Sequence, residues 1–382
     1  MRIVRLANFV HARSGGLRTA LRQLGAGYAA AGHDPVLVVP GPEYAWEETA
    51  QGLVITLPGP RVPGTGGYRM LVDRPRVARL LRRLRPDRLE VSDRFSLRWT
   101  GRWARRYDVG SMMVSHESLA GLLFTMVGRL PTNRIADAAN RRTAASYDRV
   151  VCTTSWAAAE FRRVGAANVG RVPLGVDLDR FRPARRDPRL RERLAEPDEL
   201  LLLHCGRLSP EKRPERSLAV LAELRRRDVP AVLVVIGDGP RRDALMARAR
   251  ELRLPVRFLG FVSDAERLAN LLATADIVLA PGPIETFCLA ALEALASGTP
   301  VVASAESALP EVLGDAGLAA PGEGPAYAEA VLELAARPIA DRRAAARRRA
   351  ERYSWQAATQ GFLAAHGITT PTRPTRIEAD VP

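Results

Sequence analysis

Short apolar runs alternate with helical stretches along most of the chain. Arg2–Phe9 reads as a β-run, followed by a glycine-bearing loop and a helix reaching about Ala31. Pro35–Val39, Leu53–Leu57, Leu89–Val91, Ser111–Ser115, Arg149–Thr153 and Asn168–Pro173 read as further strands. Val77–Leu84, Arg134–Ser146 and Ala157–Val164 read as helices between them. After a polar, proline-containing stretch over Arg180–Asp198 the alternation starts again. Leu200–Cys205, Ala231–Ile236, Val256–Leu259, Ile277–Ala280 and Val301–Ala303 are its strands. Ser217–Arg226, Arg241–Leu252, Ala265–Thr274 and Leu289–Ala296 are its helices. The repeated strand–helix order predicts an α/β chain of two Rossmann-like domains with a boundary near residues 175–182.

Composition adds exclusions. A length of 382 residues suits two domains. A chain 47% hydrophobic and 26% charged reads as soluble and globular. Cys152, Cys205 and Cys288 have no metal-ligand spacing, which argues against a disulfide framework and a structural zinc. No run of about 18 apolar residues occurs, so no membrane span is expected. The opening MRIVRLANFV is broken by His11 and Arg13 too early for a signal peptide. The expected location is the cytoplasm.

Charge changes the picture more. Of 57 basic residues only Lys212 is lysine, and the formal net charge is +15. Arginine with abundant Ala, Gly and Pro is the habit of a GC-rich genome, so the high pI alone argues little for nucleic acid. The excess is uneven, however: residues 1–180 carry 28 arginines against 15 acids. Within residues 74–106 there are 12 arginines and 3 acids, so the first half is expected to face something anionic.

Four segments carry candidate chemistry. Ser14-Gly15-Gly16-Leu17 follows the first strand, where glycines let amides approach a phosphate at a helix start. An ordinary strand–helix turn would look the same. Gly206-Arg207-Leu208-Ser209-Pro210-Glu211-Lys212 follows a buried strand, where open α/β sheets bind ligands. Arg207 offers a planar fork and Lys212 a compact point charge; a lysine that resists the arginine drift needs the smaller ammonium. Pro283–Glu293 joins a strand to a helix. Its Glu285 and Glu293 are eight residues apart, roughly 12 Å of helical rise, which suits two hydroxyl-bearing ends of one ligand. His116 lies just past a strand and reads equally as catalytic or structural. Asp177-Leu178-Asp179 spells a metal motif, but it is expected to lie off the cleft. His204 reads as a core residue, and Arg347–Arg349 as a solvated helix face.

These pieces together resemble glycosyltransferase family 4, retaining enzymes of GT-B fold. The markers are Gly15-Gly16, Pro173-Leu174-Gly175-Val176-Asp177, Gly206-Arg207 with Lys212, Gly260-Phe261-Val262-Ser263-Asp264, and Glu285 and Glu293 with Ser297-Gly298-Thr299-Pro300-Val301. Leu6-Ala7-Asn8-Phe9, Ser14–Ala20 and Gly66-Gly67-Tyr68-Arg69 look closest to actinobacterial GDP-mannose-dependent α-mannosyltransferases of glycolipid biosynthesis. The resemblance implies two Rossmann-like domains facing each other across a cleft. An acceptor-binding domain would span residues 1–178 and a nucleotide-sugar domain 179–354. A helix near 355–366 would pack back on the first domain, and a tail, 367–382, would be disordered.

The resemblance also implies roles. Arg207 and Lys212 would bind the donor diphosphate, with Glu211 beside them. Glu285 would hold the hexose and Glu293 the ribose. Backbone near Val262 would read the base. Amides at Gly15, Gly16 and Phe287-Cys288-Leu289-Ala290 would meet the donor. His116 would line the transfer site, its carbonyl near the anomeric carbon. No metal or other cofactor is implied, because the two cations neutralise the phosphates. The family often has glycine where Thr286 and Cys288 stand, which puts the identity of the hexose in question.

Arg76, Arg79, Arg82, Arg83 and Arg85 interleave with Val77, Leu80, Leu81 and Leu84 as a basic amphipathic segment. With Arg69 they are expected on the acceptor or membrane side. The apolar stretch Leu119–Val127 is expected to meet lipid tails at the inner face of the cell membrane. The expected partners are a nucleotide-sugar donor, a lipid-linked acceptor and an anionic membrane surface. The alternatives are a soluble family 4 transferase using a UDP- or ADP-linked sugar with a small or polysaccharide acceptor, and, from another class, a basic nucleic-acid-binding protein. The Arg-rich segment lacks interleaved stacking aromatics, which disfavours the last.

Overall fold

The computed structural model describes residues 1–10, 15–63, 67–121, 123 and 132–368. Its first sheet contains β1 (Arg2–Ala7), β2 (Asp34–Gly41), β3 (Ala45–Thr49), β4 (Gly52–Pro58), β5 (Arg88–Ser92), β6 (Gly110–Ser115), β7 (Arg149–Cys152) and β8 (Val169–Arg171). The order is β3-β4-β2-β1-β5-β6-β7-β8, parallel except for β3. The second sheet contains β9 (Leu200–Cys205), β10 (Ala231–Ile236), β11 (Val256–Gly260), β12 (Ile277–Ala280), β13 (Val301–Ser304) and β14 (Gly317–Ala320). It is all parallel, in the order β11-β10-β9-β12-β13-β14. Helices cover both faces of such sheets, which is why β10, Ala-Val-Leu-Val-Val-Ile, is apolar throughout and buried at every residue.

Each sheet reverses direction once. After β1 the chain builds outward through β2 and β4, then returns to add β5 on the other side of β1. After β9 it builds β10 and β11, then returns with β12 beside β9. A crevice opens at the strand C-termini at each such point. The loops after β1, β5, β9 and β12 therefore surround the two crevices.

Several elements escape the sequence pattern. The edge strand β3 is exposed along most of its length, so no buried alternation marks it. The helix Trp99–Arg106 contains Gly101, an unfavourable helix residue. Glycine is required there because a side chain would collide with the Ser146 carbonyl. Arg347–Arg349 are not simply a solvated face. Arg347 donates to the carbonyls of Leu178, Phe181 and Ala296, and Arg349 to that of Val312 at 2.8 Å and that of Glu311. Only Arg348 of the three is exposed. These arginines satisfy orphan acceptors at element ends, a job their length and planar fork allow.

The helix Trp355–Ala365 lies against the helix Gly16–Ala30 of the first domain, with Thr359 filling the space above Gly27. The chain beyond it is more ordered than the expected tail: Ile368 is buried. Residues 369–382 of that tail lie outside the described residues. His366 anchors this strap. Its Nε2 lies 3.2 Å from Glu90 Oε2, which also accepts from the Tyr28 hydroxyl at 2.8 Å. Arg5 is fully buried beside them, its guanidinium 5.7 Å from the Tyr28 ring centre. Burial alone would push the Glu90 carboxyl up, but His366, Arg5 and Tyr28 outweigh it and hold it below its ordinary range. Removing one member of such a cluster strands the others. Glu90→Ala should cost about 3–5 kcal/mol in urea unfolding; a loss under about 1 kcal/mol would show that the cluster does not hold the strap.

Candidate active site

The C-terminal edges of the two sheets meet across the cleft. Gly16 at the start of the helix Gly16–Ala30 faces Leu289 at the start of the helix Leu289–Ala296, close enough that a Cβ on Gly16 would touch the Leu289 side chain at 3.8 Å. Neither helix has a side-chain cap: the N-cap residues are Gly15 and Cys288. Two sets of orphan amides therefore point into one space, which is an anion site in outline. Cys288 holds φ 65°, a left-handed backbone that costs a non-glycine residue about 1–2 kcal/mol. Burial pushes its thiol up to about 12, so it stays protonated. Phe287 turns inward and packs edge-on against Tyr353, while the Glu285–Ala290 backbone runs along the crevice beside β9.

Opposite these amides lies the loop after β9. Lys212 Nζ meets Glu285 Oε1 at 2.7 Å. Burial opposes the ammonium charge, but the Glu285 carboxylate outweighs it and holds Lys212 above its ordinary range. Lys212 is thus cationic at any physiological pH. Glu211 is turned back to accept from the Ser209 hydroxyl, shaping the loop rather than reaching across it. Arg207 crosses the cleft and stacks on Tyr68, 4.7 Å from the ring centre. His204 behaves as a core residue, buried with Nδ1 3.0 Å from the Ser217 hydroxyl.

At the far end of the cleft, Glu293 and Val262 share a cavity of about 120 Å³ with Thr19, Arg22, Asp177 and Arg180. Asp177 therefore does line the cleft, against the expectation. It accepts from the Arg180 amide at 2.9 Å and pairs with the Arg180 guanidinium, which commits it to a turn. Burial is the largest influence on Glu293 and pushes its carboxyl up to about 8. A protonated carboxyl both donates and accepts.

His116 closes the first-domain side. Burial pushes its imidazole down to about 4, so it is neutral at pH 7. Its Nε2 lies 3.1 Å from the Ser92 hydroxyl, and its carbonyl accepts from the Thr286 hydroxyl at 2.7 Å. A buried pair supports this loop: Arg94 donates to the Glu117 carbonyl at 2.7 Å, and its partner Glu160 accepts the Leu119 amide at 3.1 Å. Leu119 is consequently buried and does not face lipid. Leu122 and residues 124–127 of that stretch lie outside the described residues, as does Ser14.

The basic residues are placed apart from this centre. Arg69 donates to the Gly59 carbonyl at 2.5 Å beside Tyr68. Arg76, Arg79, Arg82 and Arg83 are exposed on the helix Arg74–Leu84, whose Val77 and Leu81 are buried in the domain. The apolar face of that helix is thus already occupied by the core.

The sequence profile described as "Glycosyl transferases group 1" matches residues 186–353, and that described as "Glycosyl transferase 4-like domain" matches residues 15–176. Over 369 residues the chain is 50% identical to a Mycobacterium tuberculosis protein, GDP-mannose-dependent alpha-(1-6)-phosphatidylinositol dimannoside mannosyltransferase, with 96% of each chain covered. The chain belongs to the family 4 glycosyltransferases. A more distant relative is D-inositol 3-phosphate glycosyltransferase 2 of Catenulispora acidiphila, 36% identical over 55% of this chain and 53% of that one. Sucrose-phosphate synthase from Thermosynechococcus elongatus matches with a TM-score of 0.75 at 22% identity, covering 96% of this chain and 98% of that one. WaaG, a glycosyltransferase involved in lipopolysaccharide biosynthesis, matches at 0.70 and 19%, covering 96% and 99%. At these identities the two structures establish the shared GT-B fold.

Within this family 4 enzyme, the placement of several cleft residues cannot be read from the sequence. Thr19, Arg22 and Trp355 reach the Glu293 cavity only because helices from both ends of the chain pack there. Tyr68 belongs to the Gly66–Arg69 marker, but its stack with Arg207 is visible only in three dimensions. The raised Glu293 carboxyl has a measurable consequence. The folded state holds a proton that the unfolded state releases near 4.5, so this group lowers stability as pH rises from about 4.5 to about 8. Glu293→Gln should therefore gain melting temperature over the parent as pH rises from 5 to 8.5; a constant difference would exclude a raised carboxyl.

Proposed function

We propose that the chain is a retaining α-mannosyltransferase that moves mannose from GDP-mannose to a phosphatidylinositol mannoside glycolipid. The 50% identity along 96% of the chain to an enzyme named for that donor and lipid class carries this reading. The Lys212–Glu285 pair beside two uncapped helix starts supports it, because it offers a cation to phosphate and a carboxylate to sugar within 2.7 Å.

In this reading the diphosphate lies between the amides of Gly16 and Phe287–Ala290, with Arg207 and Lys212 neutralising it. As the bond from the anomeric carbon to phosphate oxygen breaks, charge grows on the departing diphosphate, where the two fixed cations count most. Glu285 orients the hexose hydroxyls and Glu293 the ribose. The His116 carbonyl lies beside the anomeric carbon. The acceptor oxygen bonds to that carbon on the face the phosphate leaves, and its proton passes to a donor phosphate oxygen. A neutral His116 fits this scheme, since no imidazolium is needed. Charge neutralisation by side chains needs no metal.

The acceptor is lipid-linked, and no described helix is long and apolar enough to cross a membrane. The exposed arginines of Arg74–Leu84 would draw the first domain to anionic lipid by charge alone, since Val77 and Leu81 are committed to the core. Such binding weakens with salt.

Two experiments test this. Radiolabelled GDP-mannose should transfer mannose to phosphatidylinositol mannosides, and Arg207→Ala and Lys212→Ala should each lose about 100-fold or more in rate while keeping the fold. Faster transfer from UDP- or ADP-linked sugars would overturn the donor assignment. The protein should sediment with anionic but not neutral vesicles, and changing Arg79, Arg82 and Arg83 to Glu should abolish this. Equal sedimentation with both vesicle types would overturn the docking mode.

A further inference from the structure

One residue of the Glu285 loop is bonded into the opposite domain through both its side chain and its carbonyl. Thr286 is buried at 7% exposure. Its hydroxyl donates to the His116 carbonyl at 2.7 Å. Its own carbonyl accepts from the Thr153 hydroxyl at 3.2 Å and the Thr154 hydroxyl at 2.9 Å. Two residues earlier, Ile284 lies over Gly121, where a Cβ would come within 2.5 Å of it. Further along the same face, the Glu311 carboxylate of the second domain accepts the Ser155 amide at 2.8 Å, at the start of the helix Ser155–Arg162.

We propose that Thr286 is a positioning residue that sets the register between the His116 carbonyl and the Glu285 hexose pocket. The inference rests on the reading of this cleft as a mannosyl-transfer site. Glu285 and His116 come from different domains, and a peptide hinge alone would not fix their separation. Thr286 is one residue from Glu285 and bonded directly to His116, so it is the shortest link between them. The hydroxyl takes one lone pair of the His116 carbonyl and fixes its direction, leaving the other for the reacting sugar. Glycine at this position could not make the bond; serine could. Valine has the right shape but leaves the carbonyl without its donor. The nucleoside end of the cleft, at Glu293 and Val262, does not touch this link.

The test uses Thr286→Val and Thr286→Ser in the full chain. With GDP-mannose and phosphatidylinositol mannoside, Thr286→Val should lose about tenfold in kcat. Thr286→Ser should stay within about twofold of the parent, and GDP Kd should move less than about twofold in either. Amide hydrogen exchange of residues 116–121 should rise in the valine variant and not in the serine one. Gly121→Ala, which presses on Ile284 from the other side, should reproduce the valine result. Unchanged kcat in Thr286→Val, or equal losses in the two variants, would overturn the proposal. So would a loss of GDP affinity in step with kcat. A parent protein that transfers no mannose would sink the functional reading instead, and the exchange measurement would then decide the link by itself.

Discussion

Parallel strands can be joined only by crossovers, and where successive crossovers leave on opposite sides of a sheet a crevice opens at the strand C-termini. The chain makes this reversal once in each sheet, beside β1 and beside β9. Everything that meets in the cleft depends on it. The uncapped helix starts at Gly16 and Leu289, the Arg207–Lys212 loop, His116 and Glu285 all leave strand ends at or next to a reversal. Joining the domains with those edges opposed turns two ordinary crevices into one enclosed site. The strap Trp355–Ala365 then returns from the second domain to the first, tied through His366 to buried Glu90.

Electrostatics works within that frame in two different ways. The arginine excess of the first half is not a single surface charge. Arg5 and Arg94 are buried, and Arg88 donates to the His366 carbonyl at 2.8 Å. What remains exposed on Arg74–Leu84 is a stripe whose apolar side is spent on the core. Lys212 differs from all of these. A guanidinium in its place would spread its charge over a plane and present a fork of donors, whereas the ammonium sits end-on against Glu285.

Much of this was legible in the sequence. Leu200–Cys205, Ala231–Ile236, Ala265–Thr274, Ile277–Ala280 and Leu289–Ala296 have the bounds their apolar pattern predicts, because elements buried on both faces or along one stripe write their limits into the chain. The Arg207–Lys212 and Glu285–Glu293 segments were legible for a related reason: each follows a strand that is plainly buried. What escaped depends on partners distant in sequence. Asp177 reads as lying off the cleft until Arg180 and Glu293 are seen around the same cavity. Leu119 reads as exposed because nothing local shows Glu160 capturing its amide. Arg347 reads as solvated until three carbonyls from two other segments converge on it.

The helix starts show the same site from the side of stability. Asp73, Thr154, Asp187, Asp264 and Ser354 cap their helices with side-chain oxygens, whereas Trp99–Arg106, Glu215–Arg226, Arg242–Glu251, Leu309–Leu313, Gly324–Ala336 and Ile339–Ala350 have no side-chain cap. A cap of this kind is typically worth about 1 kcal/mol. At the cleft the chain places Gly15 and Cys288 instead, forgoing both caps and adding the left-handed strain of Cys288. A serine or aspartate there would stabilise each helix by occupying its first-turn amides. A missing cap alone does not single out the cleft; what sets the helix starts at Gly16 and Leu289 apart is that they face each other across it.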